Sequence, residues 1–314
     1  MLKKIFKIYF LFGLMFLLFP ISVRAMAVSP LIVNVELKPG ESQEQIISLF
    51  NESDQPIKLK GYTETFKPQG EKGKPEIVPP SIHNQAVDWL VIKESYISIA
   101  PKQTLKIPVT VKIPRTADAG GYYLANMWET VVTAGSGQVK ISSRVGVLFF
   151  IKVKGDIKES LQIADFGLSN KNNFFSHTPV SFSARLQNDG KVHVAPVGRI
   201  VITNMFGKVT TVLPFNADEH NVLPDSFRQF DEVWGQNQTS ANWLDDFYAE
   251  VNHFALGKYT ARLDLEYGDN KNRLSSNLTS FWIIPYHLLL LIFIIILVLS
   301  FLFRKKSKKR KHKK

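Results

Sequence analysis

Seven histidines and three pairs of adjacent acidic residues are the groups in this 314-residue chain with the most chemistry to offer. A metal centre or an acid-base pair needs two or three such groups brought together at a set spacing, each oriented by a further partner. His83, His177, His193, His220 and His253 are isolated from one another, no His-Glu-x-x-His helix occurs, and His287 and His312 fall in the C-terminal anchor and tail. Asp218-Glu219, Asp231-Glu232 and Asp245-Asp246 supply hard oxygen ligands but lack the alternating spacing of a calcium loop. There is no Gly-x-Ser-x-Gly elbow and no Gly-x-x-x-x-Gly-Lys-Ser/Thr loop. With no cysteine, thiolate metal sites, disulfides and a cysteine nucleophile are excluded. The expectation is therefore a chain that is not an enzyme, with no catalytic, cofactor-binding or metal residues and no cofactor. Asn51-Glu52-Ser53, Asn237-Gln238-Thr239 and Asn277-Leu278-Thr279 match the glycosylation acceptor pattern, which matters only in a eukaryotic secretory route.

If the chain binds rather than reacts, aromatic side chains are the groups to inspect. Two clusters are candidates: Tyr122, Tyr123 and Trp128 along one strand, and Trp243, Phe247 and Tyr248 in the stretch from Gln236 to Phe254. Exposed, either would make a binding patch; buried, either would be ordinary core packing. The apolar spacing of 236–254 fits both a short helix and an aromatic loop, and a loop with one helical turn is expected there.

The formal charge of +12 is a property of the ends. Four of the 39 Lys and Arg lie in residues 1–27 and nine in 304–314, where there is no Asp or Glu, so the stretch between carries 26 against 27 acidic residues. A nucleic-acid partner is not expected, because phosphate binding needs Lys and Arg clustered on the folded surface. At the N-terminus, Lys3, Lys4 and Lys7 precede an apolar run from Ile8 to Phe19 and a short stretch ending Ala25-Met26-Ala27. That is the three-part layout of a signal peptide over 1–27, with cleavage expected after Ala25 or Ala27. At the other end, residues 283–303 are long and apolar enough to cross a hydrocarbon core of about 30 Å, and the tail 304–314 follows as a positive-inside flank. No LPxTG-like pentapeptide precedes it, so a stable anchor is expected. The predicted topology is a cell-membrane protein with a single C-terminal span, its N-terminal domains outside and its polybasic tail in the cytoplasm.

Between the ends, apolar residues recur with period two, as half-buried strands require. Leu31, Val33, Val35 and Leu37 lead into a Lys38-Pro39-Gly40-Glu41 turn, and Leu105 to Ile113 gives the cleanest alternation of the first half. After Lys154-Gly155-Asp156 the pattern restarts, with Val180, Phe182, Ala184 and Leu186 before Asn188-Asp189-Gly190, and it ends in the alternating run Tyr259 to Tyr267. Gly135-Ser136-Gly137 is a plausible hairpin, and Lys67 to Pro80, with five prolines and glycines before its final Pro80, is expected to be a long exposed loop. Asn51 and Asn188 open comparable turns 137 positions apart, and Gly121-Tyr122 and Gly257-Lys258-Tyr259 open comparable late strands, the signs of a tandem duplication. The predicted fold is all-β: two β-sandwiches over 28–155 and 156–282, followed by one transmembrane helix.

The opening Ala27-Val28-Ser29-Pro30 through Val35, Pro39-Gly40, Leu49-Phe50-Asn51 and Gln55-Pro56 resembles the first Ig-like domain of pilus chaperones and the N-terminal domain of WxL-interacting surface proteins. The layout of signal peptide, two sandwiches, one span and a Lys/Arg tail resembles the WxL-interacting proteins along nearly the whole chain. That resemblance implies two tandem Ig-like domains, the first associated with peptidoglycan and the second with a partner or host surface. It carries no binding residues across. The expected function is a non-enzymatic, membrane-anchored surface protein that binds cell-wall polymer such as peptidoglycan, or a cell-surface protein partner. A membrane-tethered assembly chaperone for secreted or pilus-type subunits is the alternative, although Lys112 and Arg115 lack the context of a chaperone's basic cleft. An extracellular hydrolase ranks third.

Overall fold

The computed structural model describes residues 26–78, 85–131, 142–236 and 242–311, with side chains described as far as Phe303. The expected signal peptide, the Gly135-Ser136-Gly137 hairpin, His83 and the Asn237 triplet lie wholly or almost wholly outside the described residues. The chain divides into two compact units: residues 1–65, 79–116 and 123–150 form one, and residues 66–78, 117–122 and 151–314 the other.

Ten strands come first: β1 (Met26–Ser29), β2 (Ile32–Leu37), β3 (Ser42–Asn51), β4 (Ile57–Gln69), β5 (Lys74–Val78), β6 (Leu90–Ile92), β7 (Tyr96–Ile99), β8 (Thr104–Lys112), β9 (Gly120–Thr130) and β10 (Arg144–Val153). They make one sheet of order β1-β3-β8-β6 and a second of order β2-β10-β9-β4-β5 in which β7 also pairs with β4. Alternation does the sorting. In β2 every second residue is buried, which places Val33, Val35 and Leu37 inside with Leu49, Leu59, Val109, Leu124 and Phe149.

As far as Val78, where the described residues end, the Lys67 to Pro80 stretch is not the expected loop. Its first residues continue β4, Gly70 and Gly73 turn the chain with φ of 61° and 72°, and β5 returns as the edge strand of its sheet. Glycine serves where a positive φ is needed, and an edge strand tolerates Pro75 because its outer N–H would have had no ladder partner.

The second unit contains β11 (Leu161–Leu168), β12 (Phe174–Phe175), β13 (Val180–Asn188), β14 (Val197–Asn204), β15 (Val209–Phe215), β16 (Ser226–Trp234), α1 (Trp243–Asn252), β17 (Gly257–Tyr267), β18 (Asn272–Ser275), β19 (Thr279–Ile283) and α2 (Tyr286–Lys311). A sheet of order β11-β13-β16 faces one of order β12-β19-β17-β14-β15, with β18 added to β17. The interior between them holds Phe182, Leu186, Ile202, Phe215, Leu263 and Phe281. Phe182 and Phe281 meet edge-on at 5.7 Å, and Tyr259 stacks on Phe281 at 5.8 Å. Each such ring is worth about 1.5–3 kcal/mol in burial alone. Both units are Ig-like β-sandwiches, as the alternation predicts, and one long apolar helix follows the second.

Asparagine holds the corners of both sandwiches. Buried Asn51 donates from Nδ2 to the carbonyls of Gln55, Ile99 and Ala100 while its Oδ1 accepts from the Ser53 amide. Buried Asn188 donates to Val192 and Val222 and accepts from Gly190. The geometry is the same, an i+2 acceptance plus an i+4 donation that satisfies loop backbone no ladder reaches. Asn216 does related work with a different spacing, donating to the Pro196 and His220 carbonyls and accepting from the His220 amide, so that both of its local bonds are to residue i+4. The Asn51 and Asn188 turns that echo each other in sequence are therefore the same structural device, and Asn51 is too buried to serve as a glycosylation acceptor.

In the second unit Lys152 lies 3.1 Å from Glu159 and 2.6 Å from Asp269. Burial disfavours its charge, but the two carboxylates outweigh that and hold its ammonium above the usual lysine range. Burial first, and then the Lys152 charge, push the His193 imidazole down to about 4.

Two measurements check these assignments. Asn188→Ala leaves two buried carbonyls and an amide without their partner, and is expected to cost about 2–3 kcal/mol in urea unfolding of the full-length protein. The unfolded chain protonates His193 near pH 6.5 and the folded one only near 4. Stability is then full above the higher value and declines as pH falls through that window, by at most about 3 kcal/mol. Melting curves of His193→Gln are expected to be flatter across the window than those of the parent.

Candidate functional site

Helix α1 begins where Asn242, in extended backbone, accepts from the amides of Leu244 and Asp245 at 3.0 and 3.2 Å. Asp245 and Asp246 follow in the first turn, where the helix dipole favours negative charge. The ten residues form a full helix rather than the expected loop with one turn. The signal was present in the cap and in the spacing of Trp243, Leu244, Phe247, Tyr248 and Val251, which falls on one face at 3.6 residues per turn.

That face points outward. At about 100° per residue, Trp243, Phe247, Val251, Leu244 and Tyr248 share an arc of about 140°, while Asp245, Asp246, Ala249 and Glu250 share the opposite one. Trp243 is 50% exposed and Tyr248 60%, whereas Ala249 and Glu250 are buried. A helix packed on a soluble domain shows the reverse arrangement. The acidic face is held inward by specific contacts. The His177 imidazole approaches Asp246 at 3.4 Å and its other nitrogen contacts the Thr178 carbonyl.

The firmest of these contacts is Glu250. One carboxylate oxygen accepts from the His287 imidazole Nδ1 at 2.7 Å and from the His287 amide at 3.3 Å, and the other accepts from the Leu288 amide at 2.7 Å. A helix leaves its first four N–H groups without intrahelical acceptors. Here the next helix in the chain receives its N-terminal cap from the side chain of the previous one. Pro285 precedes it, and the first helical bond runs from the Leu289 amide to the Pro285 carbonyl. Trp243 packs edge-on to the His287 ring at 5.5 Å, and Tyr286 lies at 4.1 Å from that ring. His287, read from the sequence as part of the anchor, is a buried structural partner of Glu250. From Tyr286 to Phe303, α2 is 18 residues of side chains apolar enough to cross a membrane. At 1.5 Å per residue the segment is about 27 Å long.

The first aromatic cluster stands differently. Trp128 is fully buried, its Nε1 donating to Asn126 Oδ1 at 2.8 Å. Its ring fills the space over its strand partner Gly61, where an added Cβ would come within 2.6 Å of it. Trp128 is core, and the reading of it as a surface contact is corrected. Tyr122 and Tyr123 are half-buried: the Tyr122 hydroxyl donates to the Asp118 carbonyl at 3.0 Å, with burial and then Asp118 raising its pKa, and Tyr123 packs edge-on to Phe150 at 5.7 Å. Trp243, Phe247 and Tyr248 do form one cluster, with Trp243 stacked on Phe247 at 5.9 Å. Sequence reasoning missed Glu250 and His287, 37 positions apart. Among the described residues, no group of three or more His, Asp or Glu is placed to hold a metal ion.

No protein-family model matches the chain, and no curated protein does. Solved structures that it resembles include the class 5 fimbriae chaperone CfaA, at 14% identity and a TM-score of 0.39 over 81% of this chain and 99% of that one. The YadV chaperone stands at 11% identity and 0.37 over 82% and 99%. The E. coli chaperone DraB stands at 10% and 0.36 over 82% and 97%. At these values the function has to be read from this chain's own geometry.

Glu250→Ala is expected to remove the amide protection of His287 and Leu288 in hydrogen exchange and to cost about 3–5 kcal/mol, because a buried, hydrogen-bonded pair is broken. Glu250→Gln keeps one acceptor and is expected to lose less.

Proposed function

We propose that the chain is a single-pass membrane protein that holds two Ig-like sandwiches, over 28–155 and 156–282, on the extracytoplasmic face and binds a surface partner without chemistry of its own. The observation that supports this best is the Glu250 cap, which ties α1, itself held on the second unit by the His177–Asp246 contact, to the first turn of the apolar helix. A flexible stalk would suit a protein that reaches outward; a capped junction suits a domain held at a set height over the bilayer. The nine basic residues after Phe303 fit a cytoplasmic flank, and the near-neutral stretch between the ends fits an exported domain.

For the partner we favour a protein over a glycan. Strand β15 is an edge of its sheet and exposes Val209 and Val212, the arrangement into which an extended segment adds as a further strand. Trp128, the one tryptophan of the first aromatic cluster, is inside the core and out of reach of a sugar ring. The WxL-interacting layout belongs to this reading, and a tethered assembly chaperone would use the same edge.

Two experiments test it. Carbonate extraction and protease protection on cells making the full-length protein are expected to leave it in the membrane with only the short tail shielded. Co-sedimentation with isolated cell-wall sacculi is then run beside crosslinking in the native membrane. Crosslinked protein lost on Thr211→Pro, with no sedimentation, supports strand capture; saturable sedimentation indifferent to that change assigns a wall polymer instead.

A further inference from the structure

The outward apolar face of α1 is one part of a larger feature. Strand pairing places Phe174 opposite Trp282, Gly257 opposite Ile283 and Asn204 opposite Tyr259. The turn after Asn204, carrying Met205 and Phe206, and the segment from His253 to Leu256 that leads into Gly257 therefore lie at the same end of the sandwich as the start of α2. Phe174, Phe206, Trp243, Tyr248, Phe254 and Trp282 are all exposed, Phe206 by 82%. They come from five separate segments, and they include every exposed aromatic residue of the second unit before α2 among the described residues. A soluble end built this way would be a liability, since contiguous exposed apolar surface mostly marks a contact.

The occupant is settled by the helix that rises through this end. Glu250 holds the first turn of α2 beside α1, so whatever layer α2 enters must begin at the level of these rings. We propose that α1 and the aromatic ring of this end lie in the interfacial layer of the same bilayer, seating the second sandwich on the lipid headgroups. Tryptophan and tyrosine settle at that depth because one part of each ring system is apolar and another makes hydrogen bonds. An amphipathic helix with its apolar face down lies there too. The inverted face of α1 is then ordinary for its surroundings: lipid covers what no protein element covers. The inference rests on the reading that α2 spans.

The chain has no cysteine, so single cysteines report one position each. Tyr248→Cys, Phe254→Cys, Ile295→Cys and Asn270→Cys in the full-length protein are labelled with a fluorophore after reconstitution into phosphatidylcholine and phosphatidylglycerol vesicles. Depth is read from lipid-attached quenchers against aqueous iodide. Asn270 lies in the exposed turn at the far end of β17, about 33 Å along that strand from Gly257. Labels at 248 and 254 are expected about 5–10 Å into the headgroup boundary, with 295 near the bilayer centre and 270 in water. Labels at 248 and 254 open to iodide while 295 is deep would overturn the seating and leave the span intact. Shielding from both quenchers would assign the face to a protein partner instead. A label at 295 in water would remove the span and the seating together.

Discussion

A carboxylate taken out of water must have its charge answered by donors on both oxygens, and Glu250 meets that requirement by joining two helices. Its oxygens receive one imidazole nitrogen and two backbone amides, all from the first turn of α2. The dependence is mutual. The helix would otherwise leave those amides unpaired at an end that is already packed, and the carboxylate would otherwise be a bare buried charge. This contact decides where the apolar helix begins and in which direction α1 turns its faces. It also explains why a ten-residue helix, short for independent stability, persists. Asn242 caps its start, His177 and Glu250 fix its acidic side, and the rings of the opposite side stay outward.

The sandwiches themselves obey a different constraint. A β-sheet satisfies its own backbone along the ladders and leaves loop carbonyls at the corners to be satisfied some other way. Asn51, Asn188 and Asn216 each solve this with one primary amide, which offers a donor group and an acceptor on a side chain short enough to fold back on its own turn. That one device recurs in both units fits the repeat visible in sequence. The same economy of space governs Gly61, whose missing side chain is what lets Trp128 lie across the strand.

Much was legible without coordinates. Period-two alternation located most of the long strands, because a residue on a sheet faces one of two sides and burial selects one. The long C-terminal apolar run announced a helix, and the turn glycines and asparagines announced corners. The failures share a cause. Lys67 to Pro80 looked like slack because prolines and glycines usually break a strand, yet an edge hairpin tolerates both where no ladder bond is lost. The Trp243 to Asn252 segment fits both helix and loop because ten residues give the helical period fewer than three turns in which to show, and it is the Asn242 cap and the buried Glu250 contact that select the helix. Trp128 was a fair candidate for a surface contact until its burial was seen, since an aromatic residue in a strand has the same local pattern whether its neighbours cover it or not.

By itself, then, the sequence determined the class of most segments, the number of sandwiches, the absence of cysteine chemistry and the long apolar run near its end, because these follow from composition and from short-range periodicity. Only the tertiary structure decided that Glu250 caps a helix 37 residues away and that rings from five segments gather at one end of a sandwich. Such contacts are set by strand order and register, and the residues that make them carry no local mark of the partner they will meet.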